Sequence, residues 1–487
     1  MSFPQSWPAP NRAAVFVLSE MSPARRITLL AAVPLLVLSS SGLTAELMFD
    51  RTSALKYALT VGAAMIAIAA ALAPQPLLVF VALLVVAAPV ATFEVDLVGV
   101  RVSAVVALLM LTAVPVFLGL GKRVGPTALG RAGCFAAVLI AVPIAAGPDI
   151  SEALYVPAVI AVVAFYCARA SVLPGGTSVV LISSLISLMT QAALAVWEYA
   201  TGQQINLYGG AEARAAGYFF DFQTQPRPTG TFFDPISLGT VLAPVLPLGV
   251  AAVLLLVHHR RRLAAMATAS AVILVGCGLS LTLSRMPSIG ALVGIATVLV
   301  LVPRRLRWPA VAQTGAVLGV LVAMAVSVGG PSLLLRATSV TDPTANGVVT
   351  ADGDRDRVGF WHVALEAGFD HPLAGVGVGH LNQLLVARAP DANVYTHAHS
   401  TYLQIFAECG VLGLAAIAII GAGFLRDLAR VWRRSPVLAA GLAGAATAVS
   451  VAALTDVVVI RYVAVAAALA PLLGLVAGLA SRQSADG

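Results

Sequence analysis

The sequence predicts an all-α protein that crosses a membrane many times, and its composition and hydropathy carry this prediction. Of the 487 residues, 59% are hydrophobic and only 10% are charged, whereas soluble domains have about 25% charged residues. The hydrophobic residues form repeated runs of about 20, the length that a helix needs to span a bilayer. We therefore expect a polytopic membrane helical bundle with about 12–14 transmembrane helices. The same composition excludes an ordinary cytosolic enzyme, a disordered protein and a nucleic-acid-binding protein.

The predicted spans divide the chain into membrane-embedded groups, two long connections and two polar ends. The long polar lead favours a retained first helix over a cleaved signal peptide. Long connections in a compact protein are usually functional or disordered. The predicted segments are a cytoplasmic N-terminal segment at 1–26, transmembrane helices at 27–199, a first extracytoplasmic loop at 200–234, central transmembrane helices at 235–330, a large extracytoplasmic loop at 331–401, C-terminal transmembrane helices at 402–480 and a cytoplasmic tail at 481–487. In the first group, charges such as Glu94 and Arg101 interrupt the apolar pattern of 77–121.

The distribution of charge predicts which side of the membrane each loop faces. Short loops rich in Lys and Arg stay in the cytoplasm, and one assignment of sides places every basic cluster there while most acidic residues fall outside. These basic clusters lie at 25–26, 122–131, 260–262, 304–307 and 426–434. We therefore expect both termini in the cytoplasm and both long loops on the extracytoplasmic side.

The large loop is expected to contain short helices, and one of them is visible in the sequence. Apolar side chains recur at helical spacing from Asp356 to Phe369. Trp361 in this segment is typical of a helix that lies on the membrane surface. A soluble cap over the bundle fits the same pattern equally well.

Two arginines and a histidine near the predicted outer ends of spans are candidates for chemistry. Arg285 lies in a connection of only a few residues, and a charge held at the membrane rim more often marks a site than an arginine that extends to lipid headgroups. Arg227 lies in the first long loop, on the same predicted side. His399 ends the large loop, where an imidazole can accept a proton near neutral pH. A single loop histidine is, however, more often simply hydrogen-bonded or solvated.

The sequence predicts no metal site and no cofactor. His397 and His399 form a His-x-His pair, but no third ligand is evident. The four cysteines lie in apolar runs, so we expect neither a disulfide nor a zinc site. The glycines at 375–379 indicate a tight turn rather than a dinucleotide loop, because no strand–loop–helix context surrounds them. Asp456 and Arg461, near the outer end of the last span, are expected to form a structural pair.

Four segments, in this order, resemble the O-antigen ligase and Wzy-type O-antigen polymerase superfamily. They are Arg227 with Gly230 and Asp234-Pro235; Leu283-Ser284-Arg285; Arg357-Val-Gly-Phe-Trp361 followed by His371-Pro-Leu-Ala-Gly375-Val-Gly377-Val-Gly379; and the segment from His399 through Glu408 and Gly410 to Leu414. Together they are far more specific than any one of them, and the likeness covers roughly the middle half of the chain. One residue departs from the pattern, since Ser400 stands where the family commonly has Asn.

The resemblance implies a metal-independent membrane glycosyltransferase of the bacterial inner membrane, with its active site on the extracytoplasmic face. In this interpretation Arg227 and Arg285 bind pyrophosphate, Arg357 assists them, and His399 is the general base, with His397 left open as the other candidate. The implied partners are a polyprenyl-pyrophosphate-linked glycan, a glycan or lipid acceptor and membrane lipid, without nucleic acid and without a cofactor. A repeat-unit polymerase of the same superfamily is the nearest alternative. A polytopic transporter or flippase is another, and the lack of a clear internal repeat counts modestly against it.

Overall fold

The computed structural model describes a helical bundle and one short hairpin. The described residues are 75–90, 94–97, 100–103, 125–148, 150–204, 227–306, 348–388 and 397–485, with a few scattered positions up to 319. The predicted segment 1–26, the first predicted helices up to residue 74, and much of both predicted long loops lie outside the described residues.

The described elements confirm the predicted all-α, polytopic membrane class. Seven segments in this part of the chain are long and apolar enough to cross a membrane, and the predicted total of about 12–14 stays a prediction. In chain order the elements are α1 (Pro76–Ala87), β1 (Glu94–Leu97), β2 (Val100–Ser103), α2 (Ala128–Ala145), α3 (Ile150–Val172), α4 (Gly176–Thr201), α5 (Pro235–Leu242), α6 (Val245–His258), α7 (Arg262–Leu281), α8 (Arg285–Leu301), α9 (Val348–Asp370), α10 (His380–Arg388), α11 (Thr401–Arg434), α12 (Pro436–Ala452), α13 (Val458–Arg461) and α14 (Val463–Ala485).

The charges that interrupt the apolar pattern near residue 100 lie in the hairpin. Strands β1 and β2 pair antiparallel, and their register places Asp96 opposite Arg101. The helix before the hairpin ends at Ala87, earlier than the apolar run alone predicts.

Proline and glycine divide two of the predicted spans. The span that begins at Pro235 consists of α5 and α6, which meet at Pro244, because proline lacks the N–H that a continuous helix requires. Helix α11 kinks at Gly410, where φ is 58° and ψ is −151°. That backbone conformation is essentially restricted to glycine, so the kink is encoded by this residue.

Small residues allow neighbouring helices to approach closely. Helix α8 packs on α12, and a Cβ added to Gly290 would lie 2.5 Å from the carbonyl oxygen of Ala448. Helix α14 packs on α3 in the same way, since a Cβ on Gly474 would lie 2.5 Å from the carbonyl oxygen of Ala164. Such contacts are typical of membrane helices, which associate mainly by close van der Waals packing. A continuous core of buried apolar side chains joins α1, α3 to α8, α12 and α14, and it fixes the helix ends that carry the site.

Candidate active site

The predicted site residues lie at one end of the helical bundle. Arg227 precedes α5, Arg285 begins α8 and His399 precedes α11. The basic clusters at 260–262 and 426–434 lie at the opposite end, because the first precedes α7 and the second ends α11. The predicted sidedness requires this separation, and the sidedness itself stays a prediction.

Arg227 is held beside the turn that connects α7 and α8. Its Nε donates a hydrogen bond to the carbonyl oxygen of Thr282 at 3.2 Å. The turn is tied to α5 because the hydroxyl of Ser284 donates to the carbonyl oxygen of Pro235 at 3.1 Å. Arg285 follows directly as the first residue of α8. The structure therefore brings the two predicted pyrophosphate-binding arginines onto adjacent segments.

Two polar side chains of α4 hold the loop that follows the first of these arginines. Glu198 is fully buried, and its Oε2 accepts hydrogen bonds from the backbone N–H groups of Thr229 and Gly230, both at 2.8 Å. Gln191, two turns earlier on the same helix face, accepts from the backbone N–H and the hydroxyl of Thr231, both at 3.0 Å. Neither residue is among the site residues that the sequence predicts. The sequence does contain a signal for them, since a carboxylate and an amide stand seven residues apart within an apolar run. Buried polar groups in a membrane helix need partners, so such a pair indicates a contact with another segment.

His399 occupies a strained turn at the entrance to α11. Its φ is 48°, a left-handed value that is uncommon for a residue with a side chain, and the residue is only 5% exposed. Ser400 caps the helix by accepting the N–H of Leu403 at 3.4 Å, so serine here fills a role that asparagine also fills well. The imidazole of His399 stacks on Phe360 of α9, with 5.9 Å between ring centroids.

His397 lies against His399 and is oriented by Arg461 of α13. The two imidazole centroids are 4.2 Å apart, and Nη1 of Arg461 lies 2.9 Å from Nδ1 of His397. Because a guanidinium nitrogen only donates, Nδ1 accepts this hydrogen bond and the ring proton is on Nε2. The one accepting nitrogen of neutral His397 is therefore occupied. The sequence predicts a structural pair of Arg461 with Asp456, whereas the structure shows a contact of Arg461 with His397.

Two buried carboxyl groups complete the cluster. Asp234 caps α5 by accepting the N–H and the hydroxyl of Ser237 at 2.8 and 2.7 Å. Asp456 lies after α12, and its Oδ1 accepts the N–H of Val457 at 2.7 Å. The backbone carbonyl of Asp456 accepts the N–H and the hydroxyl of Thr401 at 3.0 and 2.7 Å. Since Thr401 begins α11, this carboxyl group is attached to the helix that follows the histidine pair.

Burial dominates the protonation of both carboxyl groups. It raises the pKa of Asp456 to about 7, and the charge of Asp234 adds to the rise while Arg357 opposes it. Burial also raises the pKa of Asp234, against the hydrogen bonds from Ser237 and the charge of Arg227. Two acidic groups therefore share a desolvated region with the predicted arginines.

Burial and positive charge keep both imidazoles neutral. The pKa of His399 is lowered to about 3, first by burial and then by Arg357 and Arg461. The pKa of His397 is lowered to about 2 by burial, by His399 and by the same two arginines. The surroundings of both imidazoles are therefore electropositive. A bound anion would offset the guanidinium charges and raise both pKa values.

Three side chains in this cluster have the composition of a metal site. His397, His399 and Asp456 place their ligand atoms within 4.8 Å of one another, so the structure supplies the third ligand that the sequence analysis did not find. Two features oppose binding of a divalent cation. The accepting nitrogen of His397 already accepts a hydrogen bond from Arg461, and the nearby guanidinium groups repel positive charge. Metal independence stays a prediction.

The glycine-rich segment 375–379 is a turn fastened to the kink of α11. A Cβ on Gly410 would lie 2.5 Å from the carbonyl oxygen of Leu373. Two N–H groups just beyond the kink donate to the carbonyl oxygens of Pro372 and Leu373 at 2.8 and 3.1 Å. Glu408 accepts the N–H of the last glycine in the segment at 2.9 Å. These glycines allow two backbones to meet, which supports the interpretation as a turn.

Residues 269–418 match the family model Wzy_C, whose description is O-antigen ligase. The match covers about a third of the chain and supports membership of the O-antigen ligase/Wzy superfamily. The matched O-antigen ligase region begins within α7 and ends within α11, so it contains Arg285, Arg357 and His399, while Arg227 precedes it. No curated protein sequence matches the chain significantly. Together with the seven apolar helices among the described residues, the match supports an O-antigen ligase-like family of membrane enzymes.

Proposed function

We propose that this protein transfers a glycan from a polyprenyl-pyrophosphate carrier to an acceptor hydroxyl on the extracytoplasmic face of the bacterial inner membrane. One observation carries the proposal. At a single end of the bundle, His397 and the buried His399 lie against each other in electropositive surroundings, next to the segments that carry the predicted arginines. Membership of the O-antigen ligase superfamily supports a lipid-linked glycan and an acceptor as the substrate classes.

Arg227 and Arg285 bind the pyrophosphate in this mechanism. When the bond between the anomeric carbon and the diphosphate oxygen breaks, negative charge develops on the diphosphate. Guanidinium groups remain charged at every relevant pH and bind phosphate oxygens in pairs, and such groups stabilise developing charge strongly in a site that excludes water. Arg357 is assigned as a third anion-binding group, because its charge acts on the imidazole of His399.

His399 accepts the proton of the acceptor hydroxyl. His397 is less suited to this role because its accepting nitrogen is engaged with Arg461. In the reaction step, the hydroxyl proton moves to His399, the acceptor oxygen bonds to the anomeric carbon, and the carbon–oxygen bond to the diphosphate breaks. The polyprenyl diphosphate leaves with the electron pair. The family resemblance implies attack from the face opposite the leaving group, with inversion of the anomeric centre.

Binding of the negatively charged donor makes His399 a stronger base. An imidazole with a pKa of about 3 is a weak base in the free protein, and general-base catalysis is most efficient when the pKa lies near the working pH. The diphosphate brings negative charge into the pocket and raises the pKa of His399 when the donor is bound. Asp456, within 4.8 Å of both imidazoles by its ligand atoms, stabilises the imidazolium that forms.

The same chemistry serves a repeat-unit polymerase when the acceptor is a second lipid-linked glycan. The transporter or flippase alternative predicts functional charges near the middle of the membrane. Arg227, Arg285 and His399 instead lie at the ends of helices, which favours an enzyme at the membrane surface.

Turnover by the purified protein in lipid vesicles tests the proposal. The donor is a labelled oligosaccharide on polyprenyl pyrophosphate, offered with lipid, glycan and lipid-linked glycan acceptors so that the product separates ligase from polymerase. Arg285→Ala and His399→Ala should each slow transfer by about 100-fold or more. The matched controls Arg262→Ala and His362→Ala change exposed residues and should keep full activity. Unchanged transfer in both site variants would refute the mechanism. Movement of the lipid-linked glycan across the bilayer without a new glycosidic bond would favour a flippase.

A further inference from the structure

A concave site lies outside the arginine and histidine cluster. Helices α9 and α10 and the turn between them line an open cavity of about 290 Å³. Five polar side chains line it, contributed by the end of α9, the turn and α10. They are Asp370, His371, His380, Gln383 and Arg388.

The composition of the cavity fits a ligand rich in hydroxyl groups. Aliphatic side chains such as Val376 and Leu384 form part of its wall, while carboxylate, imidazole, amide and guanidinium groups supply both donors and acceptors. Binding pockets of small ligands typically combine an apolar lining with a few convergent polar groups. The arginine of the cavity is already paired with Glu366, and Asp370 lies in the same wall. The charge balance therefore favours a neutral ligand over a phosphate.

One residue that lines the cavity has a polar atom without a hydrogen-bond partner among the described residues. The Nδ1 atom of His380 is buried and has no such partner. A buried polar group without a partner is unfavourable, so this imidazole would gain from a hydrogen bond to a ligand in the cavity that His380 lines. Gly377 keeps the space next to this atom clear, because a Cβ there would lie 3.1 Å from it.

The cavity is connected to the histidine cluster through α9. Phe360 of α9 stacks on His399, and Val363 and Ala367 of the same helix line the cavity. With a rise of 1.5 Å per residue, these two positions lie about 5–10 Å along the helix from Phe360. Sugar units next to the reacting one would extend over such a distance.

We propose that this cavity is a glycan subsite, which binds an uncharged sugar unit of the donor or acceptor chain a short distance from the reacting end. The inference rests on the proposed glycan transfer. It adds a site that recognises the length of the glycan chain and the identity of its sugars. Gln383 is the specificity-determining residue, because its amide can both donate to and accept from sugar hydroxyls.

Kinetics with Gln383 variants test the subsite. Gln383→Ala removes the amide. Gln383→Trp places a bulky ring in the cavity, and because position 383 is exposed, the larger side chain does not disturb a packed core. The matched control is Asn382→Ala, the neighbouring amide on α10, which does not line the cavity. Each protein is assayed with a long and a single-sugar donor, and separately with a long and a single-sugar acceptor.

The expected result is a rise in KM for one long substrate by about three- to tenfold in Gln383→Ala, the effect of one lost hydrogen bond. The KM for single-sugar substrates and the kcat should stay as in the control. A shift with the long donor assigns the cavity to the donor chain, and a shift with the long acceptor assigns it to the acceptor. Equal KM values in all variants, or equal shifts for long and short substrates, overturn the inference.

Binding of the free oligosaccharide, without lipid or diphosphate, separates this inference from the proposed function. Saturation-transfer NMR should detect binding to the wild-type protein and its loss in Gln383→Trp. If the wild type binds the sugar in this way but transfers no glycan, the subsite stands and the proposed reaction fails. If transfer proceeds while Gln383→Trp binds sugar as the wild type does, the subsite fails and the reaction stands.

Discussion

Replacement of Glu198 tests whether a buried carboxylate outside the matched family region positions Arg227. In the native protein one oxygen of Glu198 accepts two backbone N–H groups at 2.8 Å. Glu198→Ala leaves both N–H groups buried without this partner, at a cost of about 1–3 kcal/mol each and about 2–6 kcal/mol together. Glu198→Gln keeps an accepting oxygen but loses the charge, which costs about 1 kcal/mol per bond and about 2 kcal/mol in total.

These energies predict a graded loss of activity, because the loop must be ordered for each turnover. A cost of about 2 kcal/mol corresponds to about 30-fold in kcat/KM. Glu198→Gln should therefore lose up to about 30-fold and Glu198→Ala at least that much. Gln203→Ala, an exposed position just beyond the same helix, serves as the control. The assay is transfer in lipid vesicles, with helical content checked by circular dichroism. Wild-type kcat/KM in both Glu198 variants would refute the argument that this contact positions Arg227.

Three further predictions concern the kink, the base and the metal. Gly410→Ala should lower the free energy of unfolding by about 1–3 kcal/mol, because its φ is 58° and the new Cβ meets a carbonyl oxygen. Gly421→Ala in the same helix has open space around the added Cβ and should be neutral or slightly stabilising; equal losses in both would contradict the kink. The pKa of His399 is lowered to about 3 while that of Asp456 is raised to about 7, so in the variant Asp456→Asn kcat/KM should be flat from about pH 8 to pH 5; a fall in that variant with an apparent pKa near 6.5 would show an ordinary, solvated histidine. Dialysis against EDTA should leave the transfer rate unchanged, whereas loss of activity and its recovery with Zn²⁺ would assign His397, His399 and Asp456 as a metal site.

The sequence predicts the membrane class and several site residues for one physical reason. Charged side chains are costly within a bilayer, so Arg285 stands out in its short connection between apolar runs. The same cost sorts the basic clusters to one side, and the structure places those at 260–262 and 426–434 opposite the site. Hydropathy alone, however, places no kink within a span. The break at Gly410 depends on a backbone conformation that is read only in the fold.

The remaining site residues depend on contacts between segments that lie far apart in the chain. Asp456 reaches the histidine pair because its carbonyl group accepts hydrogen bonds from the start of α11. Arg461 occupies Nδ1 of His397, and this contact alone favours His399 as the base. Glu198 acts on a loop about 30 residues later through two main-chain hydrogen bonds. None of these pairings follows from spacing, since the helices between them set the geometry.

Donor binding and single-turnover transfer, measured on the same preparations, test most directly whether arginines and a neutral imidazole act on one diphosphate-linked glycan. His399→Gln should bind the donor within about threefold of the wild type, yet transfer glycan at least about 100-fold more slowly. Arg285→Gln should weaken donor binding by about 10- to 100-fold, the effect of a lost charge-assisted hydrogen bond. Wild-type transfer by His399→Gln, together with wild-type donor affinity in Arg285→Gln, would contradict the account.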